Sequence, residues 1–216
     1  MMRIITGSAR GTHLETLEGD TTRPTSERLK EALFSMIQFD IEGRRVLDLF
    51  GGSGQLGLEA LSRGAESATF IDSSREAAEI IQKNARYCKL FDRCRISCMD
   101  SVAYLRSSAE RAQFDIIFID PPYASGLIPE TLRLIDDGGI LAPGGVVVCE
   151  NGVPDNGKKK RRGGSKPTKE DEAAAVLSQV FADDSDLMSR YFVRRTSTYG
   201  AARLTLLEAA TDGDTL

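Results

Sequence analysis

Phe114-Asp-Ile-Ile-Phe-Ile-Asp-Pro-Pro-Tyr123 is the stretch whose reading decides the fold. Ile116, Ile117, Phe118 and Ile119 form a short β-branched and aromatic run, the kind that a parallel sheet covers on both faces. The run stops on an acid, two prolines and an aromatic. Proline has no N–H for a ladder and fixes its own φ, so Pro121 and Pro122 end the strand and stiffen the turn beyond it. A carboxylate (Asp120), backbone carbonyls and a phenol ring (Tyr123) are then expected at the carboxyl end of a strand, where open α/β sheets bind ligands. Asp120 and the carbonyls accept hydrogen bonds from an amine, and Tyr123 offers a flat face to a planar ring. The combination suits an exocyclic amine on a nucleobase. The same four residues also suit a plain Pro-Pro turn with Asp120 as a cap and Tyr123 as packing, so the rest of the chain must decide.

Composition sets the outer bounds. The chain has 216 residues, enough for one sizeable core. Hydrophobic residues at 41% and charged residues at 28% are ordinary for a soluble globular protein. No apolar run is long enough to span a membrane, and Met1-Met-Arg-Ile-Ile-Thr-Gly7 lacks the apolar segment of a secretory signal, so a cytoplasmic location and no membrane partner are expected. The cysteines (Cys88, Cys94, Cys98, Cys149) contain no C-x-x-C pair and the one histidine is His13, so neither a metal site nor a disulfide framework is expected, and the thiols read as buried and free. A net charge of −4 argues against a uniformly basic surface while leaving room for a local basic face.

Arg44-Arg-Val-Leu-Asp-Leu-Phe50 reads as the first core strand, running into Gly51-Gly-Ser-Gly-Gln-Leu-Gly57 and a helix from Leu58 to Arg63. Glycines let the backbone approach a ligand closely, and the helix N-terminus aims N–H groups at it. Gly52, Gly54 and Gly57 satisfy G-x-G-x-x-G, and the next strand, Ser67–Asp72, ends in an acid at the spacing of a dinucleotide fingerprint. Two features point elsewhere. Asp48 lies inside the first strand near its carboxyl end, where it would repel a pyrophosphate and attract a sulfonium or an amino group. The Asp-Pro-Pro-Tyr turn is the second.

The remaining segments fill in around these. Arg3–Gly7 and His13–Leu17 suggest a short hairpin turned by Ser8–Gly11, with Arg3 and Arg10 making it mildly basic. It is either decoration or a substrate-contacting arm. Thr25 or Ser26 can cap a helix carrying Leu29, Ala32, Leu33, Met36 and Ile37, and Arg23 beside that N-terminus suits an anion. Ser73 or Ser74 caps a helix with Ala77, Ile80, Ile81, Asn84 and Ala85 on one face. The strand Cys94–Cys98 leads to Asp100 and Ser101, and a helix follows over 102–111. Beyond the strand that carries Asp120, a helix is expected over about 128–135. A turn at Gly138–Gly145 precedes the strand Val146–Glu150. Lys158, Lys159, Lys160, Arg161 and Arg162 lie in a polar, glycine-rich insertion over about 153–172, either a grip on a phosphate backbone or a solvated loop. Residues 170–181 are helical in pattern, 191–197 and 201–207 form a closing hairpin, and 209–216 read as a frayed tail. The organisation expected is a hairpin extension over 1–22 and one domain over 23–208.

Alternating strands and helices imply a parallel sheet with helices on both faces, and the terminal hairpin adds an antiparallel edge. The expected fold is α/β, a Rossmann-like seven-stranded mixed sheet, with Asp48, Asp72, Asp100 and Asp120 along one rim. Here the sequence resembles the class I S-adenosylmethionine-dependent methyltransferases, through Asp-Leu-Phe-Gly-Gly-Ser-Gly (48–54), Leu-Gly-Leu-Glu-Ala-Leu-Ser-Arg-Gly-Ala (56–65) and Asp-Pro-Pro-Tyr (120–123). With Arg-Pro-Thr-Ser-Glu-Arg-Leu-Lys-Glu-Ala-Leu-Phe (23–34) it closely resembles the RsmD family. That resemblance implies methylation of N2 of a guanine in 16S rRNA, within the small ribosomal subunit or an assembly intermediate, by a monomer using S-adenosylmethionine. It implies that Asp48, Phe50, Gly51, Gly52, Gly54, Asp72, Ser73, Asp100 and Ser101 hold the cofactor, and that Asp120, Pro121, Pro122 and Tyr123 hold the target base. It puts Arg3, Arg10, Arg23, Thr25 and the basic run Lys158–Arg162 forward as RNA contacts. The chain departs from the family pattern at Asp72, where glutamate is usual, at Ser35, at Gly52 and in the basic insertion.

Other readings of the same residues are a DNA adenine or cytosine amino methyltransferase, a nicotinamide oxidoreductase and a non-catalytic RNA-binding protein. The first lacks room for a target-recognition domain, the second has no evident hydride-transfer site, and the third leaves Asp48, Asp120 and Tyr123 without a task.

Overall fold

The computed structural model describes residues 2–17, 24–122, 125–152, 178 and 180–210, with the side chains of residues 24–26 outside the description. Tyr123, Arg23, the run Lys158–Arg162, most of the helix expected over 170–181 and the tail from 211 onward all lie outside the described residues.

A single sheet organises the chain. Its strands are β1 (Arg45–Asp48), β2 (Ser67–Asp72), β3 (Cys94–Cys98), β4 (Phe114–Ile119), β5 (Leu141–Gly152), β6 (Tyr191–Tyr199) and β7 (Ala202–Ala209), and they lie in the order β3-β2-β1-β4-β5-β7-β6. The first five are parallel, and β7 runs antiparallel to both β5 and β6. This is the seven-stranded mixed sheet that the alternation of elements predicts.

Side-chain alternation divides the core in two. Val46, Phe70, Ile116, Phe118, Val146, Val148 and Leu206 face one cluster with helices α1 (Pro24–Met36), α2 (Gln55–Ser62) and α3 (Arg75–Tyr87). Leu47, Ile71, Ile117, Ile119, Val147 and Leu207 face the other, against α4 (Ser101–Ser108), α5 (Leu127–Asp137) and α6 (Ser185–Ser189). Phe34 of α1 meets Phe118 of β4 with ring centroids 5.9 Å apart, and the Arg63 guanidinium lies 4.7 Å from the centre of the Phe34 ring.

Some boundaries differ from expectation, each for a local reason. Helix α1 starts at Pro24, so Thr25 and Ser26 sit in its first turn rather than ahead of it; proline suits that place because its missing N–H would have no intrahelical partner. Helix α2 starts at Gln55, because Gly54 at φ 78° turns the chain straight into it, and Gly57 is helical. Strand β5 begins at Leu141, opposite Phe114, and resumes pairing at Val146 opposite Ile116, so the expected turn at 142–145 is an excursion within the strand. Cys98 is exposed, and Cys94 only partly buried, so the thiols are not uniformly buried.

Of the hairpin expected from Arg3–Gly7 and His13–Leu17, the described residues form one antiparallel bridge, Arg3 with His13, and the segment packs into the core. Met2, Ile4, Ala9 and Leu14 are buried. Its backbone is fastened to α2: Ile5 and Thr6 donate N–H groups to the Glu59 carboxylate at 2.8 and 3.0 Å, and Ala9 donates to Ser62 Oγ at 3.0 Å. Glu59 is fully buried and also accepts from Arg63 Nε at 2.9 Å, with Lys30 Nζ 3.4 Å away. Lys30 is itself buried and donates to the Arg3 carbonyl at 2.6 Å. Desolvation lowers the Lys30 pKa, opposed by Glu59. Glu59→Ala is expected to destabilise the protein by about 3–5 kcal/mol, since it takes the carboxylate away from the buried Lys30 ammonium and the acceptor from the Ile5 and Thr6 amides. Urea denaturation checks this; a loss below about 1 kcal/mol would show that the network is dispensable.

Candidate active site

The site follows from strand register. Asp48 is level with Phe70 on one side and Phe118 on the other. Asp72 ends β2 two residues beyond Phe70, and Asp120 lies two residues beyond Phe118. Both therefore stand one pleat above Asp48 on its two flanks, and all three belong to the face that carries α1–α3. Asp100 lies two residues past Cys98, the partner of Asp72. The sheet order then places Asp100, Asp72, Asp48 and Asp120 in sequence along the rim.

Between Asp48 and α2 the chain turns through Gly52 and Gly54, both at positive φ. The N-cap of α2 is Gly54, which has no side chain to satisfy the first-turn amides. Asp48 supplies the missing acceptor from the strand: Gly57 N–H donates to its Oδ2 at 3.2 Å. A side chain at position 57 has no room, because a Cβ there would lie 2.3 Å from Phe70 Cε1. The helix N-terminus that would hold a pyrophosphate is thus already facing a carboxylate, which removes the dinucleotide reading. Asp48 is buried, and desolvation, added to by the nearby charge of Asp72, raises its pKa to about 7 against the amide bonds that lower it.

Asp72 ties the two loops together. It accepts from Gly52 N–H at Oδ2 and from Ser74 N–H at Oδ1, both at 2.8 Å. Each carboxylate oxygen keeps a second lone pair, enough to receive a pair of hydroxyl donors. Asp100 caps α4 by accepting from Ala103 N–H at 2.9 Å, and Ser101 beside it is buried. Phe50, Gly52 and Asp120 are partly exposed, Ser73 and Pro122 exposed, and Pro121 buried. Arg10 is exposed on the N-terminal segment, and Arg3 there pairs with Glu27 at 3.3 Å.

Two residues of the site escape a reading of the sequence. Met99, exposed beside Asp72 through its N–H bond to the Asp72 carbonyl, offers an apolar contact at the rim. Asn84 is fully buried on α3; its Nδ2 donates to the carbonyls of Ser53 at 2.8 Å and Glu15 at 3.0 Å, and its Oδ1 accepts from Glu15 N–H at 2.8 Å. One side chain thereby joins the glycine loop to the N-terminal segment. The signal is present in the sequence, an amide on an otherwise apolar helix face, but its partners are far away in the chain.

Comparison with known proteins is decisive at this point. The family described as Conserved hypothetical protein 95 matches residues 2–172. Ribosomal RNA small subunit methyltransferase D of Escherichia coli K12 is 36% identical over 157 residues, covering 71% of this chain and 78% of its own length. The chain belongs to the RsmD family. The solved structure of the Escherichia coli protein yhhF superposes on 96% of this RsmD-family chain and 97% of its own, with a TM-score of 0.72 and 28% identity. SMU.776, solved with SAH, shares the fold at a TM-score of 0.60 and 16% identity over 85% of this chain and 49% of its own. This member of the RsmD family is therefore an S-adenosylmethionine-dependent methyltransferase. Its rim fits such a cofactor on its own terms, with carboxylates in line for hydroxyl and amino donors and a buried one that a cation would ionise.

If Asn84 positions the glycine loop, Asn84→Ala is expected to weaken binding of S-adenosylhomocysteine (SAH) about tenfold, the effect of orphaning buried polar groups. Titration calorimetry measures it, and unchanged affinity would show that the loop holds its place without the amide.

Proposed function

We propose that this methyltransferase transfers a methyl group to N2 of a guanine in 16S rRNA, in the cytoplasm, on the small ribosomal subunit or an assembly intermediate. The observation that carries the reading is the Asp120-Pro121-Pro122 turn at the end of β4, next in the sheet to the strand that ends in Asp48 and the glycine loop. An amine held at Asp120 lies beside the place where the glycine loop holds a ligand. The matched relative is named for action on small-subunit ribosomal RNA, which supports that substrate class.

Bound S-adenosylmethionine supplies a methyl group on a sulfonium, an electrophile ready for direct displacement. The chain's own residues do the remainder. Asp48 and the backbone of Phe50–Gly54 hold the amino-acid end of the cofactor, Asp72 with Ser73 takes the ribose hydroxyls, and Asp100 with Ser101 and Met99 takes the adenine. The N2 lone pair of guanine is delocalised into the ring and nucleophilically poor. Asp120 and the Pro121 carbonyl accept from the amine N–H groups and turn the lone pair toward the methyl, while Tyr123 stacks on the withdrawn base. Positioning and electrostatics supply the acceleration, with no covalent intermediate. Arg3, Arg10, Arg23, Thr25 and the Lys158–Arg162 run are assigned to the RNA backbone.

The test is transfer of labelled methyl to ribosomal subunits from a strain lacking the enzyme, followed by nucleoside digestion. Label in N2-methylguanosine from small-subunit RNA is expected; label in another nucleoside would discard the guanine reading. Asp120→Ala is expected to lower turnover at least about 1,000-fold while SAH affinity stays within about twofold. An equal fall in both would remove Asp120 from the target-amine role.

Asp48 makes binding sensitive to pH. Its folded pKa of about 7 lies above the ordinary carboxylate value, so the protein without cofactor binds a proton more tightly folded than unfolded. Its contribution to stability therefore declines as pH rises toward 7. A cationic amino group requires the ionised form. Cofactor affinity is expected to rise between pH 6 and 8, with most of a proton released on binding at pH 6 and only about a tenth of one at pH 8. Calorimetry in buffers of different ionisation enthalpy reads this directly, and Asp48→Asn should abolish the release.

A further inference from the structure

The rim of the sheet has a step. Strand β4 stops at Ile119, whereas β5 keeps pairing with β7 as far as Gly152, opposite Ala202. Register fixes the height of the step. Ile119 pairs with Cys149, so Asp120 is level with Glu150, which pairs with Leu204, which pairs in turn with Ser197 of β6. Tyr199 lies two residues beyond Ser197, opposite Ala202. Both β5 and β6 run antiparallel to β7, so β6 climbs in the direction of β4 and β5. The β6–β7 hairpin therefore rises about 7 Å above the level of Asp120. Across the sheet Tyr199 stands three strand spacings from Asp120, about 14 Å.

The raised hairpin shares a face with the target site. Ala202 and Leu204 belong to the cluster beneath α1–α3, and paired residues of neighbouring strands project from one side, so Ser197 and Tyr199 stand on the face assigned to Asp120. Tyr199 packs against that cluster and stays partly exposed. The cofactor is assigned to the flank of Asp120 formed by β1, β2 and β3, which leaves the flank of β5, β7 and β6 for the remainder of the substrate. Charge agrees with that division. Residues 191–207 contain three arginines and no acid, in a chain whose net charge is −4. Arg194 is paired with Asp40 and Glu208 toward the low end of β6. Arg195 pairs in register with Leu206 of the same cluster, is exposed, and makes no ion pair among the described residues.

We propose that the raised end of the β6–β7 hairpin is a docking surface for the RNA around the target, on which Tyr199 stacks against an unpaired base near the methylated guanine and Arg195 meets the phosphate backbone. This rests on the ribosomal-RNA reading of the substrate and extends it. An enzyme that withdraws a base from its stack must support the strand from which the base came. An aromatic face serves for that, because every base has a π-face to lay on it, and a nearby arginine adds the attraction that any phosphate backbone feels. Holding the amine then falls to β4, whereas holding the strand beside it falls to β6.

The experiment uses the full chain and small subunits that lack the methyl group. Tyr199→Leu keeps an apolar side chain but removes the π-face. It is expected to raise KM for subunits about tenfold, the cost of a lost base stack, with the loss in KM rather than in kcat. Tyr199→Phe keeps the face and should hold KM within about twofold of the wild type. Arg195→Gln should reduce the salt slope of subunit binding by about one. SAH affinity should stay within about twofold in all three variants, because the hairpin lies off the cofactor flank. Benzoylphenylalanine in place of Tyr199 should cross-link, on irradiation, to RNA close to the methylated nucleotide. An unaltered KM in Tyr199→Leu, or an equal rise in Tyr199→Phe, would overturn the stacking role. A cross-link to a ribosomal protein, or none to RNA, would overturn the docking surface, and it decides the matter alone should Tyr199→Leu not fold. Wild-type label in a nucleoside other than N2-methylguanosine is a different failure. It removes the guanine-N2 reading, while KM and the cross-link still report on the hairpin at whichever nucleotide is labelled.

Discussion

The Gly57 amide bonded to the Asp48 carboxylate joins the central strand to the helix after it, and much of the site depends on that junction. A helix whose cap position is a glycine in the left-handed region needs an acceptor from elsewhere. Drawing it from the strand buries a carboxylate at the helix N-terminus, the place where an α/β protein of another kind would bind phosphate. The substitution of a resident anion for a bound one inverts the electrostatics of the loop. What the loop now lacks is a positive charge, and the buried carboxylate titrates near neutrality until one arrives. Phe70 closes against Gly57 at the same junction, so neither the turn nor the helix start can shift without the core noticing.

The division of the sheet into two faces explains why chemistry concentrates on one of them. Asp48, Asp72 and Asp120 each follow by two residues a member of the cluster under α1–α3, and the opposite face is closed by α4, α5 and α6. That second face carries a buried thiol, Cys149, whose ionisation is pushed far up by burial, and a Tyr191 hydroxyl committed to the Leu132 carbonyl. Cys88 and Cys94 are likewise pushed up, to about 11 and about 12, by desolvation. These groups behave as packing, which fits the absence of any His/Cys/Asp/Glu cluster suited to a metal among the described residues. No described helix is long and apolar enough to cross a membrane.

The strands and the mixed, seven-stranded character of the sheet were legible in the sequence because they rest on local signals: apolar runs of fixed length, glycines at turns and acids where strands end. Asp48, Asp72 and Asp120 could be placed along a rim for the same reason. What the sequence concealed depends on contacts between distant parts of the chain. Asn84 looks like one more member of a buried helix face until Ser53 and Glu15 are seen around it. Glu59 reads as an ordinary helical acid, and nothing local announces that two amides from residues 5 and 6 converge on it.

The contacts of the N-terminal segment span long stretches of chain, 54 residues from Ile5 to Glu59 and 69 from Glu15 to Asn84. During synthesis, residues 2–17 leave the ribosome well before the helices that receive them exist. They can neither bury their apolar side chains nor satisfy Glu59 until α2 and α3 have formed on the sheet, so docking of this segment is a late step of folding. That docking also closes against the glycine loop, where Ser53 Oγ donates to Met2 Sδ at 3.2 Å. Competence to hold a cofactor thereby arrives together with completion of the fold, and a half-made chain has no working loop with which to sequester one.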